Sequence, residues 1–379
     1  MIRKLLFSVK LLFSVALIPC LSLPSLAQTQ RTPEQIAAEL QARADARTTV
    51  KAPGVAERAV SFATSDGLTL PGTLTLPPVP VPDPKHPEKP VPRPPVAVLV
   101  QGSGVQDRDA TIGGNRFFQQ LAWGLAARGV ATLRYDRRAK VDIANFYQHA
   151  DLDHEVVLDA ASALEFVQTL PGVDPMRVFV VGHSLGAQLA PDTVALRLSQ
   201  QPGSVTGMVL LSGVARPIDQ VIDEQMRTFG KNQGATTEQV APVAKMWADV
   251  WTEARDPSTP DARRIGVGTS LPASYWRDWL RRDPVATMHK LSVPTLVARG
   301  SKDVNSTHAD FELLQAAATA HGSDAREFVG LNHLYMPIEG ESNGADVLNP
   351  GKVSVEFLDY LAAWLNRTGA PKTSTPTGR

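Results

Sequence analysis

From position 96 onward, short apolar runs recur between stretches of helical spacing: VAVLV, VATLRY, VFVVG, MVLLSG, PTLVARG and REFVGL. Runs of this length, nearly continuous in Val and Leu, fit strands of a parallel sheet with helices on both faces. Upstream, RAVSFATSDGLTLPGTLTL alternates apolar and polar positions around Asp66-Gly67, a turn pair, and predicts a β-hairpin. Hairpin and runs together predict eight strands in a mostly parallel sheet. Between positions 215 and 291 the rhythm stops, and helix formers and tryptophans (Trp247, Trp251, Trp276, Trp279) take over. This predicts a helical cap between strands six and seven. The expected core is therefore split into residues 57–214 and 292–367, closed by the amphipathic VSVEFLDYLAAWLNR. A polar Pro/Thr-rich tail at 368–379 is expected to be disordered.

Two further segments depart from the pattern. Ile36, Leu40 and Ala44 stand at helical spacing among polar neighbours, so residues 28–56 read as an amphipathic helix or a loose arm. Residues 77–95 contain ten prolines and read as an extended, exposed loop that cannot join a sheet interior. The first 27 residues combine Arg3, Lys4 and Lys10, an apolar stretch and the small-x-small triplet Ser25-Leu26-Ala27. That is the pattern of a secretory signal peptide cleaved after Ala27, and it predicts export to the periplasm or medium. Lys10 and Pro19 leave too short a clean run for a stable membrane span.

Composition narrows the function. The 379 residues are 43% hydrophobic and 20% charged, ordinary for a globular chain with a large core. Lys plus Arg equals Asp plus Glu at 38 each, so no overall field favours nucleic acid or an anionic surface. Cys20 is the sole cysteine. Cleavage of the leader would leave a mature chain without disulfides, thiol catalysis or cysteine metal sites.

The chemistry concentrates in RVFVVGHSLGAQLA, residues 177–190, where a strand, a G-x-S-x-G turn centred on Ser184 and a helical pattern follow one another. This is the context of a nucleophile elbow. Gly182 and Gly186 suit a turn too tight for side chains, and Pro191 in the following helical pattern is expected to bend that helix. A serine hydroxyl needs a base to take its proton and a carboxylate to orient that base. Asp303 in VPTLVARGSKDVN and His333 in REFVGLNHLYMP follow two successive later strands in the order Ser, Asp, His. Both are expected at carboxyl ends of strands, where open parallel sheets place their sites. Asp219 is the reserve acid. Of the eight histidines only His333 has the required order and placement.

An elbow serine needs an oxyanion hole, formed by the N–H of the following residue, Leu185, and by one from the loop after the third strand. That loop is QGSG at 101–104, which assigns Ser103 as the second donor with Gly104 in reserve. The loop lacks the third glycine of a dinucleotide site and no G-K-[ST] follows, so a phosphate role is excluded. Charges in VQDRDATIGGN and LRYDRRAK fit either a network supporting the site's mouth or an exposed ion-pair cluster. HADLDHE, residues 149–155, reads as a solvated helix start rather than a metal site.

These motifs, with DGLTLPGTL, GSGVQDRD, LAARGVATLRYDRRAK and GHSLGAQLAP, resemble the α/β-hydrolase serine esterases over residues 60–367. The resemblance is closest to EstD-type bacterial esterases and their dienelactone-hydrolase and serine-aminopeptidase-like relatives. It implies hydrolysis of short-chain carboxylic esters through an acyl-enzyme, with Ser184, Asp303 and His333 at the triad positions and no metal or organic cofactor. A peptidase or an acyltransferase would use the same three residues, and a non-catalytic binding protein would be expected to lose one of them. Gln101 stands where many relatives carry His. Gln101, Gly104, Trp276 and Trp279 are the candidate substrate contacts, although Trp276 and Trp279 equally suit the cap's own core. The expected partner is a small-molecule ester.

Overall fold

The computed structural model describes residues 51–80 and 91–370. The expected signal peptide, most of the N-terminal arm, the middle of the proline-rich loop and the tail beyond residue 370 lie outside the described residues. Eight strands form one sheet: β1 (Ala56–Ala63), β2 (Thr69–Leu76), β3 (Val96–Val100), β4 (Ala131–Tyr135), β5 (Val178–His183), β6 (Gly207–Leu211), β7 (Thr295–Gly300) and β8 (Asp324–Phe328). Their order is β1-β2-β4-β3-β5-β6-β7-β8. β2 runs antiparallel to β1 and β4, and every later pairing is parallel. The order and directions are those of the α/β-hydrolase fold.

Strand β3 shows why the apolar runs are continuous. Val96, Val98 and Val100 join one core, whereas Ala97 and Leu99 join the other. Alternate side chains of a strand face opposite sides, so burial of both faces demands apolar residues at every position. Helices α1 (Phe117–Ala126) and α11 (Val355–Arg367) cover one face. The other is covered by α4 (Asp159–Gln168) and α5 (Leu185–Gln200), with contributions from the short α2 (Arg138–Val141) and α3 (Ile143–His149). Helix α5 continues through Pro191.

The segment between β6 and β7 is largely helical: α6 (Ile218–Asn232), α7 (Thr237–Arg255), α8 (Ala273–Arg281) and α9 (Pro284–Met288), with a two-residue ribbon pairing Ile265 and Leu271. Its interior is aromatic. Trp247 stacks on Trp251 at 5.3 Å between centroids, and Trp276 meets both edge-on. Helix α10 (His308–Ala317) follows β7. Among the described residues no helix is long and apolar enough to cross a membrane.

The reading of HADLDHE as a solvated helix start requires correction. His149 ends α3, and residues Asp153–Leu158 form a π-helical turn that runs into α4. Widening the helix by one residue per turn turns Glu155 inward, where it is 3% exposed.

Candidate active site

The turn after β5 is as tight as its sequence demands. A Cβ on Gly182 would lie 2.2 Å from the Gly186 carbonyl oxygen, and one on Gly186 would lie 2.3 Å from the Val100 oxygen. Neither backbone can yield without separating strand from helix. Between them Ser184 adopts φ 56° and ψ −118°, a conformation that L residues avoid and that persists only when surroundings impose it. Its N–H donates to the Leu211 carbonyl at 2.9 Å, and its own carbonyl accepts from Ala187 and Gln188 as α5 begins. Leu185 is the first residue of that helix, so its N–H has no acceptor one turn back.

Two strands away, β7 ends at Gly300. A side chain there would strike the Leu331 and Asn332 carbonyl oxygens, at 2.3 and 2.7 Å. This contact brings the loops after β7 and β8 together. Ser301 N–H donates to Phe328 and Lys302 N–H to Leu331, at 2.8 and 2.9 Å. Within this frame His333 Nδ1 lies 2.8 Å from Asp303 Oδ2. The other carboxylate oxygen accepts from the backbone of Asn305 and Ser306 at 2.8 and 3.1 Å. Arg299 donates to the Asp303 and Ser306 carbonyls and locks the turn.

The electrostatics follow from this geometry. Burial alone would raise the Asp303 pKa, but His333, hydrogen bonds from His333 and Ser212, and the Arg299 charge outweigh it and hold the carboxyl below its ordinary value. An ionised Asp303 accepts the Nδ1 proton and leaves His333 Nε2 with its lone pair, the form a base requires. The expected pairing of Asp303 with His333 is therefore present in geometry. Asp219, the reserve acid, lies in α6 and binds Arg255 at 2.5 Å.

His183 adds a second hold on His333. Its Nε2 donates to the His333 carbonyl at 2.9 Å, and the two rings lie 4.5 Å apart. Burial, with the nearby His333, drives the His183 pKa down from 6.5 to about 3, so its ring stays neutral. Between those values the unfolded chain binds a proton at this position that the native fold does not, so stability rises with pH through that window and levels off above about 6.5. The slope this group contributes reaches about 1.4 kcal/mol per pH unit at most. His183→Asn, which keeps a donor toward His333, should flatten the acid limb of a stability profile measured by chemical denaturation between pH 4.5 and 8. An unchanged limb would exclude His183 as its source.

The loop after β3 lies against the serine. A Cβ on Gly102 would sit 3.1 Å from Ser184 Cβ and 3.6 Å from Oγ. Gly104 has φ +92°, the left-handed region that favours glycine. Gln101 is 1% exposed, and its amide donates to the Tyr135 carbonyl and, at 3.4 Å, to that of Asp107. It braces the loop from behind. Gln106 Nε2 donates to the Ser103 carbonyl at 3.0 Å, and the Arg137 guanidinium donates to the Gly102 carbonyl. Trp276 is buried among the cap aromatics with its N–H on the Ile265 carbonyl at 2.9 Å. Trp279 donates to Gln188 Oε1 at 2.8 Å and so joins the cap to α5.

The charges after β3 and β4 form a network in which the arginines are largely buried, not an exposed cluster. Arg108 grips Asp136 with both nitrogens of one edge, Arg134 pairs with Asp109 and Glu57, and Arg138 pairs with Asp159 and Asp66. Arg137 meets Glu155 at 2.5 Å. Sequence reasoning missed the parts played by His183, Arg137, Glu155 and Arg299. The signal available for Arg137 was a run of charges directly after an apolar strand, LRYDRR, on the edge that carries the site. Among the described residues no three His, Cys, Asp or Glu side chains are grouped as metal ligands would be.

Comparison with known proteins agrees with this architecture. The chain is 30% identical over 276 residues to Esterase EstD of Thermotoga maritima, a match covering 72% of this chain and 62% of the relative, thus less than two thirds of the relative's length. Solved structures of a variant of esterase rPPE and of esterase Est22 share the fold. Their TM-scores are 0.54 and 0.52 at 15% and 18% identity; coverage of this chain and of theirs is 90% and 92% for the first, 89% and 89% for the second. Residues 114–339, well over half of the chain, match the family described as serine aminopeptidase, S33. With its strand order and its serine turn between β5 and α5, the chain belongs to that family of α/β hydrolases.

Proposed function

We propose that this protein is an exported serine hydrolase that cleaves carboxylic esters with short to medium acyl chains through an acyl-enzyme. In this reading Ser184 Oγ attacks the ester carbonyl while His333 Nε2 takes its proton, and Asp303 stabilises the resulting imidazolium. The backbone N–H groups of Ser103 and Leu185 hold the oxyanion. The imidazolium returns the proton to the departing alkoxide, and water then repeats the sequence on the acyl-serine and releases the acid. The observation that carries the reading is the 2.8 Å contact of His333 Nδ1 with Asp303, with the His333 ring packed on the residue that precedes Ser184. The N-terminal basic, apolar and small-residue pattern supports export.

A second reading, amide hydrolysis, is favoured by the family's description as serine aminopeptidases. A nucleophile of this kind serves either substrate, and the pocket decides. The test has two arms. A fluorophosphonate should label the protein once, with the added mass on the peptide containing Ser184. A panel of p-nitrophenyl esters from acetate to dodecanoate, run beside aminoacyl p-nitroanilides, should give the highest kcat/KM for acetate or butyrate. A higher value on the anilides would replace the ester reading with the peptidase one, and labelling elsewhere would remove Ser184.

A further inference from the structure

We propose that Arg137 positions and polarises the oxyanion peptide, and that Glu155 and Tyr275 tie that peptide to the cap. The inference rests on the reading of Ser103 N–H as an oxyanion donor. The Gly102 carbonyl and the Ser103 N–H belong to one planar peptide unit, so whatever fixes the oxygen fixes the direction of the N–H. The group on that oxygen is the Arg137 guanidinium, 2% exposed. A cationic donor on the carbonyl draws electron density across the amide and makes the opposite N–H a stronger donor. Arg137 N–H also donates to the Gln106 carbonyl at 3.3 Å, and the Gln106 side chain returns to Ser103. The loop is thus held at both of its ends by Arg137, in the turn after β4.

Behind Arg137 the chain of contacts continues. Its Nη2 lies 2.5 Å from Glu155 Oε1, and both side chains are almost fully buried. Glu155 Oε2 accepts from the Tyr275 hydroxyl at 3.1 Å, and Tyr275 belongs to α8 of the cap. The π-turn aims Glu155 inward at both partners. Taking two charges out of water is costly, and a buried ion pair is weak as a stabilising device compared with apolar packing. Its place directly behind the oxyanion peptide gives it a use that apolar residues could not supply. The cap and the loop that carries the Ser103 N–H are thus joined through three side chains.

The experiment compares Arg137→Met, Arg137→Lys, Glu155→Gln and Tyr275→Phe with the parent and with Ser184→Ala. Readouts are kcat and KM on p-nitrophenyl butyrate and inhibition by butaneboronic acid, which forms a tetrahedral adduct on serine. Loss of one oxyanion donor lowers kcat by about 100- to 1000-fold, so a misaimed donor in Arg137→Met should cost about 100-fold. KM should stay within about twofold, and boronate affinity should fall in step with kcat. Arg137→Lys, which keeps the charge, should recover part of the loss. Tyr275→Phe, which removes one oxygen, should cost about 5- to 10-fold with the same signature. A fold defect would lower the active fraction without changing boronate affinity. If Arg137→Met does not fold, the other three variants decide. Unchanged kcat and boronate affinity in Tyr275→Phe and Glu155→Gln, with Ser184→Ala inactive, overturn the relay and leave the triad standing. Turnover retained by Ser184→Ala overturns the triad reading itself.

Discussion

Ser184→Ala should lower turnover of p-nitrophenyl butyrate by about a millionfold, the size of effect that removal of a serine nucleophile causes in hydrolases that use a triad. The rate should not fall to that of free water. The two proposed backbone donors and the binding surface would remain, and such remnants sustain about a thousandfold acceleration. The fold should persist, because alanine at this position tolerates φ 56° neither better nor worse than serine and the main-chain bonds of residue 184 do not involve its hydroxyl. Steady-state kinetics with the circular dichroism spectrum on the same sample check both halves. A variant with native spectrum and parental turnover would place the nucleophile elsewhere.

The second large effect is expected from Asp303→Asn, about 10,000-fold in kcat. The amide oxygen can still accept from Asn305 and Ser306, which keeps the turn. Its nitrogen, now facing His333 Nδ1, donates where the carboxylate accepted. Nδ1 must then carry the lone pair and Nε2 the proton, so in the proposed mechanism the ring offers the nucleophile a hydrogen instead of an acceptor. Substrate binding does not use that proton, and KM should move little. Nitrogen-15 chemical shifts of His333 should report the exchanged tautomer. A kcat within tenfold of the parent, with the tautomer exchanged, would remove Asp303 from the mechanism.

Much of this architecture was legible because it depends on residue type at fixed spacing. A strand buried on both faces has to read VAVLV, and a turn that brings Gly186 against Val100 has to carry glycine at 182 and 186. The meeting of Asp303 and His333 was legible for the same reason: both follow short apolar runs, and chain order fixed which strand exits they would occupy. The inward turn of Glu155 was not. It depends on one extra residue in a helical turn, which moves an acidic side chain from water to Arg137, and no local propensity marks such a shift. Gln101 was misleading for a related reason. It follows a buried strand and precedes glycine, as a substrate contact would, yet its amide faces Tyr135 in the layer behind the loop. His183 looks like an incidental neighbour of the serine until β8's exit loop arrives to place the His333 carbonyl within reach of its ring.

The carboxyl edge of the sheet is laced by main-chain bonds: Ser184 to Leu211, Ser212 to Ala298 and Ser301 to Phe328. None of these bonds depends on what side chain a residue carries. A residue along this edge can therefore change its side chain, proline excepted, without unlacing the strand exits that carry Ser184, Asp303 and His333.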